Sequence, residues 1–87
     1  MSSAKGEILI VEDEVAIADI VVDYLKRDGF GAEHRVDGSE VQALVSTGRF
    51  ALILLDVMLP GLDGFELCRA LRKTSAIPII MMTARVE

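Results

Sequence analysis

One cysteine, one histidine and nine cations against fourteen acids leave this 87-residue chain few of the usual chemistries. Cys68 has no partner for an internal disulfide and stands in no metal-binding spacing, so it reads as a small apolar residue on a helix face. A net charge of −5 and a pI near 4.7 argue against a nucleic-acid-binding surface, which needs clustered Lys and Arg. The one tight group of cations, Arg69, Arg72 and Lys73, falls at the end of an expected helix, where positive charge offsets the dipole. No apolar run reaches the ~18–20 residues of a membrane span. Met1 to Gly6 also lacks the apolar stretch of a signal peptide. The expectation is a cytoplasmic protein that binds neither membrane nor nucleic acid through this segment.

What is present is unusually apolar for so short a chain. The apolar fraction is 52% and the mean hydropathy +0.44. A single domain of this size buries only about 60–65% of its unfolded surface. The surplus predicts apolar surface meant for a partner or for further residues.

Residues 1–5 read as a flexible start. Glu7 to Val11 is a buried strand, followed by a helix whose Ile17, Ile20, Val21, Tyr24 and Leu25 make one stripe. Gly31 to Val36 is a more polar strand suited to a sheet edge, and His34 on it reads as a solvated surface residue. A short helix after Asp37-Gly38-Ser39 turns Val41, Leu44 and Val45 inward and ends at Gly48. Phe50 to Leu55 is the strongest strand. Leu59-Pro60-Gly61-Leu62 fits a type II turn, and Asp63-Gly64-Phe65-Glu66 resembles a capping box opening a helix through Lys73. Ile77 to Met82 is a fourth strand. Strands alternating with helices predict an α/β fold with a parallel sheet. Right-handed crossovers put the first helix on one face and the second and third on the other.

Two of these strands end in acid. Ile8-Leu9-Ile10-Val11 stops at Glu12-Asp13-Glu14, and Leu52-Ile53-Leu54-Leu55 stops at Asp56. Ligands in such sheets bind beyond the strands' carboxyl ends, where strand order reverses. Placing the first and third strands side by side brings Asp13 and Asp56 to that point. Carboxylates meeting there repel by about 3 kcal/mol per pair at ~5 Å and an effective dielectric near 20. A magnesium ion relieves this, since it takes oxygen ligands and keeps several waters. Asp13, Asp56 and a backbone carbonyl at Met58 are the expected ligands, with Glu12 acting through a coordinated water. Asp56 is also placed to attack phosphorus and become an aspartyl phosphate. The Thr83 hydroxyl and the Ala84 backbone N–H, at the end of the fourth strand, would then hold phosphoryl oxygens. Each feature alone has a plainer reading: an acidic helix start at Glu12-Asp13-Glu14, a loop residue at Asp56, strand-end polarity at Thr83. Their joint placement favours a site.

Ile8 to Glu14, Leu54 to Gly64 and Pro78 to Ala84 closely resemble the receiver domain of two-component response regulators. The wording Met58-Leu59-Pro60-Gly61 is most similar to the branch that carries a winged-helix DNA-binding domain. The resemblance implies a flavodoxin-like sheet, here of order 2-1-3-4, with residues 6–87 forming the N-terminal portion of the domain. It implies phosphorylation of Asp56 by a sensor histidine kinase in a magnesium-dependent reaction, with Thr83 as the switch hydroxyl. Catalysis would be limited to the domain's own phosphorylation and dephosphorylation. Receivers continue through a fourth helix, a fifth strand and a fifth helix, which carry a strand-end lysine and an aromatic switch residue; this sequence stops at Glu87.

The third and fourth strands are apolar almost throughout, a sign of burial on both faces. One helix cannot cover both strands on the first face. Self-association through that face or through the fourth strand's edge is therefore expected. Two other functions fit parts of the pattern. A magnesium-dependent phosphohydrolase also phosphorylates an aspartate after a strand, but Met58 stands where its second, acid–base aspartate would be. A protein-interaction module that is never phosphorylated would use the acidic edge for recognition alone.

Overall fold

The structure, a computed structural model, describes residues 5–59 and 61–82. Strand β1 (Glu7–Val11) leads to helix α1 (Val15–Arg27), β2 (Gly31–Arg35), α2 (Val41–Ser46) and β3 (Phe50–Asp56). Two short strands follow, β4 (Met58–Leu59) and β5 (Leu62–Asp63), then α3 (Gly64–Arg72) and β6 (Ile79–Met82). The long strands form one sheet of order β2-β1-β3-β6. Every neighbouring pair in it is parallel. With β6 counted as the fourth long strand, this is the predicted 2-1-3-4 arrangement, and the more polar β2 occupies an edge.

The two faces are filled unequally. On one, Leu9, Val11, Ile53 and Leu55 lie fully buried beneath Val41 and Val45 of α2 and Leu67 and Leu71 of α3. Each such aliphatic side chain stabilises the fold by about 1.5–3 kcal/mol relative to exposure. On the other, Ile8, Ile10 and Ala18 are buried with Val21, Val22 and Leu25 around them, while Leu52 and Leu54 of β3 are only half-buried. Ile80 of β6 remains 53% exposed on this face. The helices thus divide as expected, one against two, and α1 alone leaves β3 and β6 incompletely covered.

Several local expectations shift. The stripe of α1 that meets the sheet is Ala18, Val21, Val22 and Leu25, spaced i, i+3, i+4, i+7. Ile20 and Tyr24 belong to the adjacent line and stand 58% and 67% exposed, because the contact line is set by β1 and β2 and not by the most apolar row. The fourth strand begins at Ile79 instead of Ile77: Pro78 has no N–H for the ladder, although its carbonyl accepts from Ile53 N at 3.0 Å. Only half of the capping box forms. Asp63 Oδ1 accepts from Phe65 N at 2.8 Å, whereas Glu66 pairs with Arg69 at 2.6 Å. The Asp63 main chain is instead paired with Met58 in the antiparallel β4–β5 ribbon, an element that the sequence pattern did not reveal. Gly61 has the positive φ, 67°, that the turn between these strands demands. Pro60 lies outside the described residues.

Gly64 matters for a different reason. Its N–H donates to Val57 O at 3.2 Å, and a Cβ there would lie 2.7 Å from Val57 Cα and 3.0 Å from Asp56 O. Main chain cannot yield as a flexible side-chain tip can. Gly64→Ala should therefore destabilise the domain by about 1–3 kcal/mol, the usual range for overpacking. Urea denaturation showing a change below ~0.5 kcal/mol, the size of an ordinary surface substitution, would contradict this packing account.

Candidate functional site

The register that pairs Val11 with Leu55 sets what lies just beyond both strands. Glu12 follows β1, Asp56 is the last residue of β3, and their carboxylates come together with that of Asp13. One oxygen from each lies within 4.8 Å of the other two. Glu12 and Asp56 are buried, at 1% and 4% exposure, while Asp13 faces solvent.

Main-chain donors hold the two buried acids. Asp56 Oδ1 accepts from Met58 N at 3.0 Å, which lays the Met58 main chain against that carboxylate. Glu12 Oε2 accepts from Glu14 N at 3.1 Å. The loop after Asp56 is fixed from two sides, by Val57 N donating to Met82 O and by Gly64 N donating to Val57 O. The sequence pattern pointed to the acids but not to these amides, since any residue type supplies an N–H.

His34 is not the solvated residue that its edge strand suggested. It is half-buried, and its Nε2 lies 2.6 Å from the Glu12 carbonyl oxygen. Alternation along β2 places it on the α1 face with Ala32. Thr83 and Ala84, expected at the end of the fourth strand, lie outside the described residues. The strand that leads to them is in place, with Met82 paired to Asp56.

Burial above all pushes the Glu12 carboxyl up, to about 7; the Glu14 amide opposes this, and the Asp56 and Asp13 carboxylates add to it. A cluster that retains a proton near neutrality is one in which a cation would be welcome. The donor set is all oxygen, which suits a hard divalent ion. His34 is close by, but its Nε2 is committed to a carbonyl. The carboxylates of Glu12, Asp13 and Asp56, with the Met58 main chain beside Asp56, therefore make a donor set that fits magnesium.

Residues 8–87 match the family model described as response regulator receiver domain. The chain belongs to that family.

Among curated receiver-containing relatives, the DNA-binding response regulator MtrA of Mycolicibacterium smegmatis is 38% identical over 87 residues, covering all of this chain and 38% of that protein. The transcriptional regulatory protein ResD of Bacillus subtilis is 42% identical over 83 residues, covering 95% of this chain and 35% of its own length. The chain thus spans little more than a third of these relatives. Among solved structures, the BeF3-activated N-terminal receiver domain of Klebsiella pneumoniae RstA superposes with a TM-score of 0.84 at 31% identity, over 93% of this chain and 69% of that one. Vibrio cholerae CheY4, a chemotaxis protein, gives 0.83 at 33% identity, over 94% and 71%. This receiver domain therefore has the flavodoxin-like fold. None of its helices among the described residues is long and apolar enough to cross a membrane.

The raised Glu12 carboxyl carries a pH dependence of definite sign. The fold favours the protonated form, so this contribution to stability is complete below about pH 4.5 and is lost as pH rises through about 7. Without divalent ions, wild type should lose stability relative to Glu12→Gln between pH 5 and 8, and magnesium chloride should reverse the trend. Parallel denaturation curves for the two proteins across that range would show that Glu12 is not the titrating group.

Proposed function

We propose that this receiver accepts a phosphoryl group on Asp56 from the phosphohistidine of a sensor histidine kinase, with Mg2+ at the acidic cluster. The observation that carries the reading is the convergence of Glu12, Asp13 and Asp56 at the switch point between β1 and β3. In the transfer, an Asp56 oxygen bonds to phosphorus as the P–N bond breaks. That bond's electron pair returns to the kinase imidazole, which takes up a proton. Magnesium, when bound, neutralises charge on the transferring group. Asp13 and Asp56 would hold it together with the Met58 carbonyl, and Glu12 would hold one of its waters. Met58 N orients the Asp56 carboxylate through its 3.0 Å bond. Thr83 and Ala84 N–H are assigned to the phosphoryl oxygens, by their sequence position after β6. Any catalysis by the domain would be limited to its own phosphorylation and dephosphorylation.

The surroundings suit a protein donor better than a small phosphate ester. Met58 and Phe65, 52% and 54% exposed, border the loop after Asp56 with apolar surface. The phosphohydrolase alternative is further weakened by Met58, whose side chain has no proton to give. By likeness to MtrA, a DNA-binding response regulator, and ResD, a transcriptional regulatory protein, the full-length protein is proposed to act in the cytoplasm as a transcription regulator. The resemblance at Met58–Gly61 makes a winged-helix DNA-binding output domain the one proposed for it. Residues 6–87 would be the N-terminal portion of its receiver.

In the full-length protein, incubation with a phosphorylated kinase should label wild type, and Asp56→Ala should remove the label while leaving the fold intact. Label persisting on another residue would refute the assignment. The half-covered face of β3 and β6 supports a second expectation, that the 87-residue chain self-associates through that face or through the free edge of β6. Sedimentation should show a concentration-dependent mass that Ile80→Asp reduces. A stable folded monomer at micromolar concentration would end that idea.

A further inference from the structure

We propose that His34 is a positioning residue for the acidic site, acting through the main chain of Glu12. The inference rests on the reading of Glu12, Asp13 and Asp56 as a magnesium-dependent phosphoacceptor site. A carbonyl oxygen can only accept, so the 2.6 Å contact between His34 Nε2 and Glu12 O requires the proton on Nε2. The neighbouring residue of β2 completes the hold, since Arg35 O accepts from Glu12 N at 3.0 Å. Both main-chain polar groups of Glu12 are thus tied to β2, while its side chain is tied to Glu14 N.

The consequence follows from peptide geometry. The Glu12 carbonyl and the Asp13 nitrogen and Cα share one rigid plane. Holding that oxygen fixes the direction in which Asp13 leaves β1. Asp13 is the exposed member of the cluster, and among the described residues no main-chain N–H donates to its carboxylate as Glu14 N and Met58 N do to those of Glu12 and Asp56. Past Val11 the β1–β3 ladder has ended, so the strand partner on that side no longer sets the angle of this plane. A side chain reaching across from β2 does. Metal ligands must be held to within ~0.5 Å to bind well, and His34 supplies that constraint without touching the ion.

The test compares full-length wild type, His34→Gln and His34→Leu, titrated with magnesium chloride and followed by the amide resonances around the site. Outer-shell partners typically change metal affinity by about 10–100-fold. His34→Leu should therefore bind magnesium about tenfold more weakly. His34→Gln, which can place an amide N–H near the same carbonyl, should recover most of that loss. Equal affinity in wild type and His34→Leu, or equal loss in both variants, would overturn the proposal. A second measurement stands if His34→Leu does not fold. In wild type, the His34 Nε2 proton should exchange slowly and show coupling to the Glu12 carbonyl carbon; a fast-exchanging, uncoupled proton would overturn the proposal. Should wild type bind no magnesium at all, the site reading fails, and the proton measurement still decides whether His34 clamps Glu12.

Discussion

Parallel pairing of β1 with β3 is the constraint from which the rest follows. With Val11 opposite Leu55, two strands remote in sequence end side by side, and each ends in acid. The apolar ladder beneath holds those anions together. Leu9, Ile10, Val11, Ile53 and Leu55 are fully buried, each worth about 1.5–3 kcal/mol. Carboxylates ~5 Å apart repel by about 3 kcal/mol per pair at an effective dielectric near 20. The sheet can therefore carry the cluster, but the repulsion consumes a sizeable part of what the strands contribute. Burial first, and the neighbouring carboxylates after it, raise the Glu12 carboxyl; a retained proton or a cation relieves both.

The two strand ends are braced differently. After β3, the chain is gripped by Met82 on one side and by the closely packed Gly64 on the other, and Met58 N turns back onto Asp56. After β1, the brace comes from the edge strand through Arg35 O and His34 Nε2. An edge strand that looked merely polar is thereby part of the site.

The faces of the sheet tell a second story about the same residues. Alternation sends Ile53 and Leu55 toward α2 and α3, where they are sealed, and Leu52 and Leu54 toward α1, where they are not. A helix that crosses from β1 to β2 lies over those strands and cannot also shield β3 and β6. Apolar surface at Ile80, Ile20 and Tyr24 is the result.

Much of this was legible in the order of the residues. Continuous apolar runs named the buried strands, polar mixing in Gly31–Val36 named the edge, and an acid directly after two of the runs named the site. Those features are local, and period and composition report them directly. Three things were not local. The row of α1 that meets the sheet depends on where β1 and β2 lie beneath it, so Ala18 is buried and the larger Ile20 is not. The β4–β5 ribbon depends on a turn bringing Met58 back to Asp63, a pairing too short to leave a periodic trace. The hold of His34 on Glu12 joins residues 22 apart in the chain, and only the parallel alignment of their strands makes them neighbours. The sequence alone therefore determined which residue types could do chemistry and on which strands they stand. Only the tertiary structure decided which main-chain atoms restrain them, because a backbone N–H or C=O is the same in every residue and acquires a role solely from its position.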